Sequence, residues 1–129
     1  MNSNKSEFDM VIVGGLGHVG LPLGIAFADK GMDVCLYDVD KDKGEKVGRG
    51  IMPFIEHGAE PILKRAVENK KLIVSLDIHS ISKAEYVIIA IGTPVDEYLN
   101  PKTRQFLEFF KSIKQCLNKN QIIIIRSTV

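Results

Sequence analysis

The 129-residue sequence predicts a doubly wound α/β domain: a parallel sheet with helices on both faces, in three layers. Three observations carry that expectation. An apolar strand runs into a glycine-rich turn that opens directly into a helix, in the stretch MVIVGGLGHVGLPLGIAFA from Met10 to Ala28. Apolar strands and helix-period segments then alternate along the chain. The last two strands, EYVIIAI and QIIII, are continuous runs of Val and Ile with little polar alternation, as a parallel strand covered on both faces requires.

The elements follow in order. Residues Met1 to Glu7 are polar and read as a tail, and Phe8 to Val13 form the first strand. The first helix is expected from about His18 to Lys30. Pro22 falls in its first turn, where a missing N–H costs least, and Gly31 stops it as a C-terminal cap. Asp33 to Tyr37 make the second strand. The charged stretch DVDKDKGEKVGRG reads as a loop with a short helix near Lys41 to Val47, and IMPFIEHGAE, lacking a clean period, as a surface segment. From Pro61 the pattern turns helical, pairing Ile62 with Ala66 and Leu63 with Val67. Leu72 to Leu76 form the third strand, Glu85 to Ile91 the fourth and Gln121 to Ile125 the fifth. Phe106, Phe110, Ile113 and Leu117 mark the apolar stripe of a helix from about Thr103 to Leu117. Right-handed crossovers give a Rossmann-like strand order 3-2-1-4-5. The ligand crevice then lies at the carboxyl ends of strands one and four, where the winding reverses. Residues 15–20, 38–43, 92–95 and 126–129 share that rim.

Gly15, Gly17 and Gly20 have the G-x-G-x-x-G spacing of a dinucleotide-binding turn. Gly15 is expected to permit the sharp turn and Gly20 to let the helix sit close on the strand. Gly17 lets a pyrophosphate approach the backbone at a helix N-terminus, whose unpaired N–H groups and dipole favour an anion. The motif alone has many uses, but here it is followed by a second strand ending at Asp38, 18 positions after Gly20. That is close to the roughly 20 expected for the acid that binds ribose hydroxyls. Asp38 would repel a 2′-phosphate and is followed by Val39 where an Arg often receives one, so NAD is preferred over NADP.

The rest of the composition excludes other classes. A net charge of +1 gives no global field to recruit nucleic acid or an anionic membrane. No apolar run approaches the roughly 18 residues of a bilayer span, and the N-terminus lacks the order of a signal peptide, which places the chain in the cytoplasm. Cys35 and Cys116 show neither metal-ligand spacing nor a disulfide framework. Cys35 reads as a buried small hydrophobe, and neither cysteine is the expected nucleophile. His57 and His79 have no partner placed for them and read as exposed. Asp96 and Glu97, adjacent acids without further ligands, read as a solvated loop, so no metal is expected.

GGLGHVGLPLGIAFADKG, YDVDKDK, IMPFIEHGA, IGTPVDE and the terminal RSTV together resemble the nucleotide-sugar dehydrogenases, over nearly the whole chain, as their N-terminal NAD-binding domain. His18 stands where the family commonly has Tyr. The resemblance implies that Gly15, Leu16, Gly17, His18, Val19 and Gly20 hold the NAD pyrophosphate. It gives Asp38 the adenosine ribose and Lys43 a basic cofactor contact. Gly92, Thr93 and Pro94 would line the cofactor cleft, and Ser127 and Thr128 would face the nicotinamide side. Thr128 matches a threonine that helps orient a water or the reacting hydroxyl, the one supporting catalytic role implied within these residues.

The family oxidises the C6 hydroxyl of a UDP- or GDP-linked sugar to a carboxylate in two NAD-dependent hydride transfers. Its thioester-forming cysteine and principal lysine belong to a later substrate-binding domain, whose motifs are absent here. The resemblance therefore implies that residues 1–129 are the front portion of a longer enzyme. The full-length protein is expected to be a homodimer, and these residues alone inactive. Two alternatives stay open at the level of sequence: another NAD-dependent dehydrogenase front end, of β-hydroxyacid type, or a non-catalytic nucleotide-binding or redox-sensing module. IMPFIEHGA and RSTV weigh against the first.

Overall fold

A computed structural model describes residues 6–91 and 103–126 of the chain, with the side chains of 103–106 left aside. Its elements run β1 (Phe8–Val13), α1 (Gly20–Asp29), β2 (Val34–Tyr37), α2 (Lys41–Gly48), α3 (Ala59–Glu68) and β3 (Leu72–Ser75). A 3-10 segment (Ile78–Lys83) then leads to β4 (Ala84–Ile89), α4 (Thr103–Cys116) and β5 (Ile122–Ile125). All strand pairs are parallel, in the order β3-β2-β1-β4-β5. This is the expected doubly wound order, with β1 and β4 side by side where the winding reverses.

Alternation along the central strands builds two cores. Met10 and Ile12 face one side and meet Leu21 and Ile25 of α1, Val47 of α2 and Leu63 and Ala66 of α3. Val11 and Val13 face the other and meet Cys35, Tyr37, Val87, Ile89, Ile81 and Ile113. Because both faces are covered, β1 from Met10 to Val13 is buried throughout, at 0–3% exposure. That is why it reads as an unbroken apolar run.

Local chemistry sets the helix ends. Asp40 caps α2, its carboxylate accepting the Lys43 N–H at 3.0 Å. Gly31, at φ +94°, takes the left-handed position that ends α1. Helix α3 begins at Ala59, ahead of the expected Pro61, because Gly58 at φ +78° turns the chain into it. Pro61 then occupies the first turn, where no N–H is needed.

Strand β5 departs from expectation. Its four isoleucines are 44–65% exposed, although the Ile run predicts a strand covered on both faces. β5 pairs with β4 alone and stands at the sheet edge among the described residues. α4 turns Ile113 toward the β1–β4 side, and the described residues leave β5 largely uncovered. Both ends of the strand are nevertheless anchored. The Gln121 side-chain amide donates to the carbonyls of Ile81 and Ala84 at 2.6 and 2.7 Å, and the Arg126 N–H donates to Ile89 at 2.8 Å.

Candidate functional site

The turn between β1 and α1 is held from both neighbouring strands. The N–H groups of Gly14 and Gly15 both donate to the Tyr37 carbonyl at the end of β2, each at 3.0 Å. On the other side, a Cβ on Gly14 would lie 2.6 Å from the Ile91 side chain and 3.0 Å from the Ala90 carbonyl oxygen, just after β4. Gly14, at φ +80°, is the residue that makes the turn, a duty the sequence pattern gives to Gly15. Gly15 is required for a different reason: its Cβ would sit 2.8 Å from Leu36 Cβ and 2.9 Å from the Ile12 carbonyl oxygen. A Cβ on Gly20 would collide with the Gly14 carbonyl, and one on Gly24 with Leu36. Gly20 thus seats the helix on the turn, and Gly24 seats it on the strands.

Gly17 is the exception. Among the described residues a Cβ there would meet only the Gly14 carbonyl oxygen at 3.5 Å, an ordinary contact. The packing of the described residues does not require this glycine, and the space they leave above it admits a ligand. It adjoins a row of unused donors. The Gly17 N–H bonds back to Gly14 at 3.2 Å, but the amides of His18, Val19 and Gly20 have no acceptor among the described residues. No side chain caps α1, and its first turn holds no acid. Three amide donors at the positive end of a helix dipole suit a phosphate-type anion.

Asp38 lies beside this turn at the end of β2. Its Oδ2 accepts the Leu16 N–H at 3.0 Å, and its Oδ1 accepts the amides of Val39 and Asp40 at 2.7 and 3.3 Å. The carboxylate is therefore fixed in place by three backbone donors while Oδ2 keeps a lone pair for a ribose hydroxyl. Leu16 serves through that bond, since its amide is committed to Asp38 and its side chain is fully buried. Lys43 is half-buried in the first turn of α2, on the same rim.

The His18 ring stacks on Phe54, with centroids 4.2 Å apart and planes 19° from parallel. In the sequence Phe54 stands out only as part of the IMPFIEHGA motif, because no spacing rule pairs it with His18. Gly92, Thr93, Pro94, Ser127 and Thr128, together with Asp96 and Glu97, lie outside the described residues. Ile91 and Arg126 bring the chain to the edge of those segments. His57 and His79 are exposed, and no group of three or more potential metal ligands occurs among the described residues.

Cys35 is fully buried in β2. Burial pushes its thiol up to about 12 against the weaker opposing effects of the Ser80 hydrogen bond and Lys83, so it is no nucleophile at neutral pH. The unfolded thiol ionises near pH 9 while the folded one stays protonated. Stability from this residue is therefore complete below pH 9 and is lost as the pH rises toward 12. Between pH 8 and pH 10 the urea unfolding free energy is expected to fall by about 1 kcal/mol more in the parent than in Cys35→Ala.

Residues 9–129 match the family described as UDP-glucose/GDP-mannose dehydrogenase family, NAD binding domain. UDP-glucose 6-dehydrogenase TuaD of Bacillus subtilis is 32% identical over 120 residues, 92% of this chain and 26% of the relative. A UDP-N-acetyl-D-glucosamine 6-dehydrogenase of Pseudomonas aeruginosa is 33% identical over 119 residues, 92% of this chain and 27% of the relative. The solved UDP-D-ManNAc dehydrogenase of Pyrococcus horikoshii superposes with a TM-score of 0.81 at 27% identity, covering 93% of this chain and 28% of that one. The chain spans about a quarter of the length of these relatives. Among the described residues no helix is long and apolar enough to cross a membrane.

Proposed function

The chain belongs to the UDP-glucose/GDP-mannose dehydrogenase family as its NAD-binding domain, and we propose that it is the N-terminal cofactor half of a longer cytoplasmic enzyme. That enzyme oxidises the C6 hydroxyl of a UDP-sugar to a carboxylate in two NAD-dependent steps and works as a homodimer. The observation that carries the reading is the free space above Gly17 beside the unused amides of His18, Val19 and Gly20. These donors, at the positive end of a helix dipole, suit a pyrophosphate, and Asp38 stands one strand away with a free lone pair for the ribose.

NAD, when bound, supplies the acceptor for the hydride that leaves C6 at each oxidation. The residues of this chain bind and orient it. The amides at the start of α1 would hold the phosphates by N–H donation and the helix dipole without a charged side chain, and Asp38 would select a ribose bearing free hydroxyls. Lys43 adds a cation on the adenosine side. By the family resemblance, Gly92, Thr93 and Pro94 would line the cofactor cleft, and Ser127 and Thr128 would face the nicotinamide side, with Thr128 orienting the reacting hydroxyl or a water. These last assignments rest on the family's Thr-Pro and Ser-Thr-Val segments.

The test is stoichiometry. The full-length gene product, given UDP-glucose, UDP-N-acetylglucosamine or UDP-N-acetylmannosamine with excess NAD, is expected to release two NADH per sugar carboxylate from at least one of them. One NADH per sugar, or none from any, overturns the reading.

A further inference from the structure

The His18 side chain and the His18 amide face two different parts of the molecule. The amide is one of the three unused donors at the start of α1, whereas the ring stacks on Phe54 at 4.2 Å. Phe54 lies in the connection between α2 and α3, where residues 51–58 have no regular structure; Met52 and Phe54 are half-buried against the core, and the backbone hydrogen bonds fall near the ends. At one end the Ile51 N–H donates to Lys46 at 2.9 Å. The Met52 N–H makes only a long bond, 3.4 Å, to the Glu60 carboxylate. At the other end Gly58 turns into α3. In between, Ile55 is 91% exposed, and Phe54 is the point at which the segment reaches the glycine turn.

The geometry points to His18 as a positioning residue that couples cofactor binding to the placement of the 51–58 segment. A phosphate held by the His18 amide fixes the backbone that carries the imidazole. The fixed ring in turn holds Phe54, and with it the middle of a segment whose other hold there is the packing of Met52 and Phe54 on the core. By thermodynamic reciprocity, a segment that keeps Phe54 in place pre-orders His18 and tightens the cofactor. Any flat ring at position 18 performs this role, because the interaction is a stack of two ring faces and not a hydrogen bond. Segment 51–58 thereby becomes the part of the chain that reports whether the cofactor has arrived. The inference rests on the cofactor site proposed above and adds a residue pair through which that site acts at a distance.

Residues 1–129 contain no tryptophan, so Phe54→Trp adds one indole at the reporting position, and its emission is read as the difference from the full-length protein without the substitution. NAD is titrated into the full-length protein carrying this substitution, while NADH fluorescence measures cofactor binding independently. A saturable change in indole emission is expected, with the same midpoint as cofactor binding. Adding His18→Ala is expected to abolish the indole response and weaken the cofactor about three- to ten-fold, the size of one aromatic pair. His18→Phe is expected to restore both.

Hydrogen exchange of amides 51–58 in the parent protein gives a second reading that needs no substitution in the segment, with protection expected to rise on adding NAD. Cofactor binding that leaves both the indole emission and the 51–58 exchange unchanged overturns the coupling. So does His18→Phe behaving like His18→Ala. Absence of NADH binding in the parent overturns instead the cofactor site on which the inference stands.

Discussion

Alanine at Gly17 is expected to weaken NADH binding by at least ten-fold and leave the folded state intact, whereas alanine at Gly20 is expected to damage the fold itself. The two glycines stand three residues apart in one motif, yet their surroundings differ in kind. A Cβ at Gly20 would collide with the Gly14 carbonyl and sit 3.0 Å from Gly15 Cα. Both are backbone atoms pinned by the Tyr37 carbonyl and by the end of β4, so neither yields cheaply. Overpacking of this kind costs about 3 kcal/mol. A Cβ at Gly17 meets one carbonyl oxygen at an ordinary 3.5 Å, and urea unfolding of Gly17→Ala is expected to stay within about 0.5 kcal/mol of the parent. The added methyl instead fills the space a pyrophosphate needs to reach the amides of α1, and ten-fold weaker binding corresponds to about 1.4 kcal/mol. Urea titration and NADH fluorescence on the two variants separate the effects. Undiminished NADH affinity in Gly17→Ala would mean that no ligand approaches the turn at that point.

The fold was legible because its signals are local and repeated. Runs of Val and Ile mark the central strands, and glycine and proline punctuate the helices. The handedness of the crossovers then leaves one economical strand order, which the structure has. What the sequence misassigned depends on contacts between segments distant in the chain. The turn residue is Gly14 rather than Gly15, because only the packed position of Ile91 and Ala90 decides where the chain must take a positive φ. β5 has the composition of a covered strand, but composition records what a strand is suited to meet, and nothing among the described residues meets it. The distance along the chain singled out Asp38 as the proposed ribose acid, but gave no sign of its bond to the Leu16 amide. The same holds for the His18–Phe54 stack, whose partners share no periodic relation. The residues expected after β4 and β5, Thr93 and Pro94 and then Ser127 and Thr128, were read from family motifs alone and remain assignments of that kind.

Replacing Asp38 with alanine is expected to weaken NADH binding by about 10- to 100-fold and to narrow the preference over NADPH by a similar factor. The first effect has two parts. Loss of a hydrogen bond from a ribose hydroxyl to a charged acceptor costs about 1.5–3 kcal/mol, and the Leu16 amide loses its acceptor at the same time, which loosens the turn that presents the phosphate donors. The second effect follows from sign. A carboxylate at this position repels a 2′-phosphate, so its removal relieves NADPH while it harms NADH. The neighbourhood then favours the extra phosphate further, since Lys41 and Lys43 stand in the first turn of α2 and Val39 beside them is 73% exposed and uncharged. Asp38→Asn separates the contributions. It keeps an oxygen to accept the Leu16 amide and removes the charge, so its NADH affinity is expected to fall less than that of alanine while its discrimination against NADPH falls as far. Fluorescence titration of both cofactors against the three proteins measures all of these quantities. Equal affinity of parent and alanine variant for both cofactors would remove Asp38 from the ribose site. A loss for NADH without any relative gain for NADPH would leave it as a brace for the glycine turn, acting through Leu16 alone.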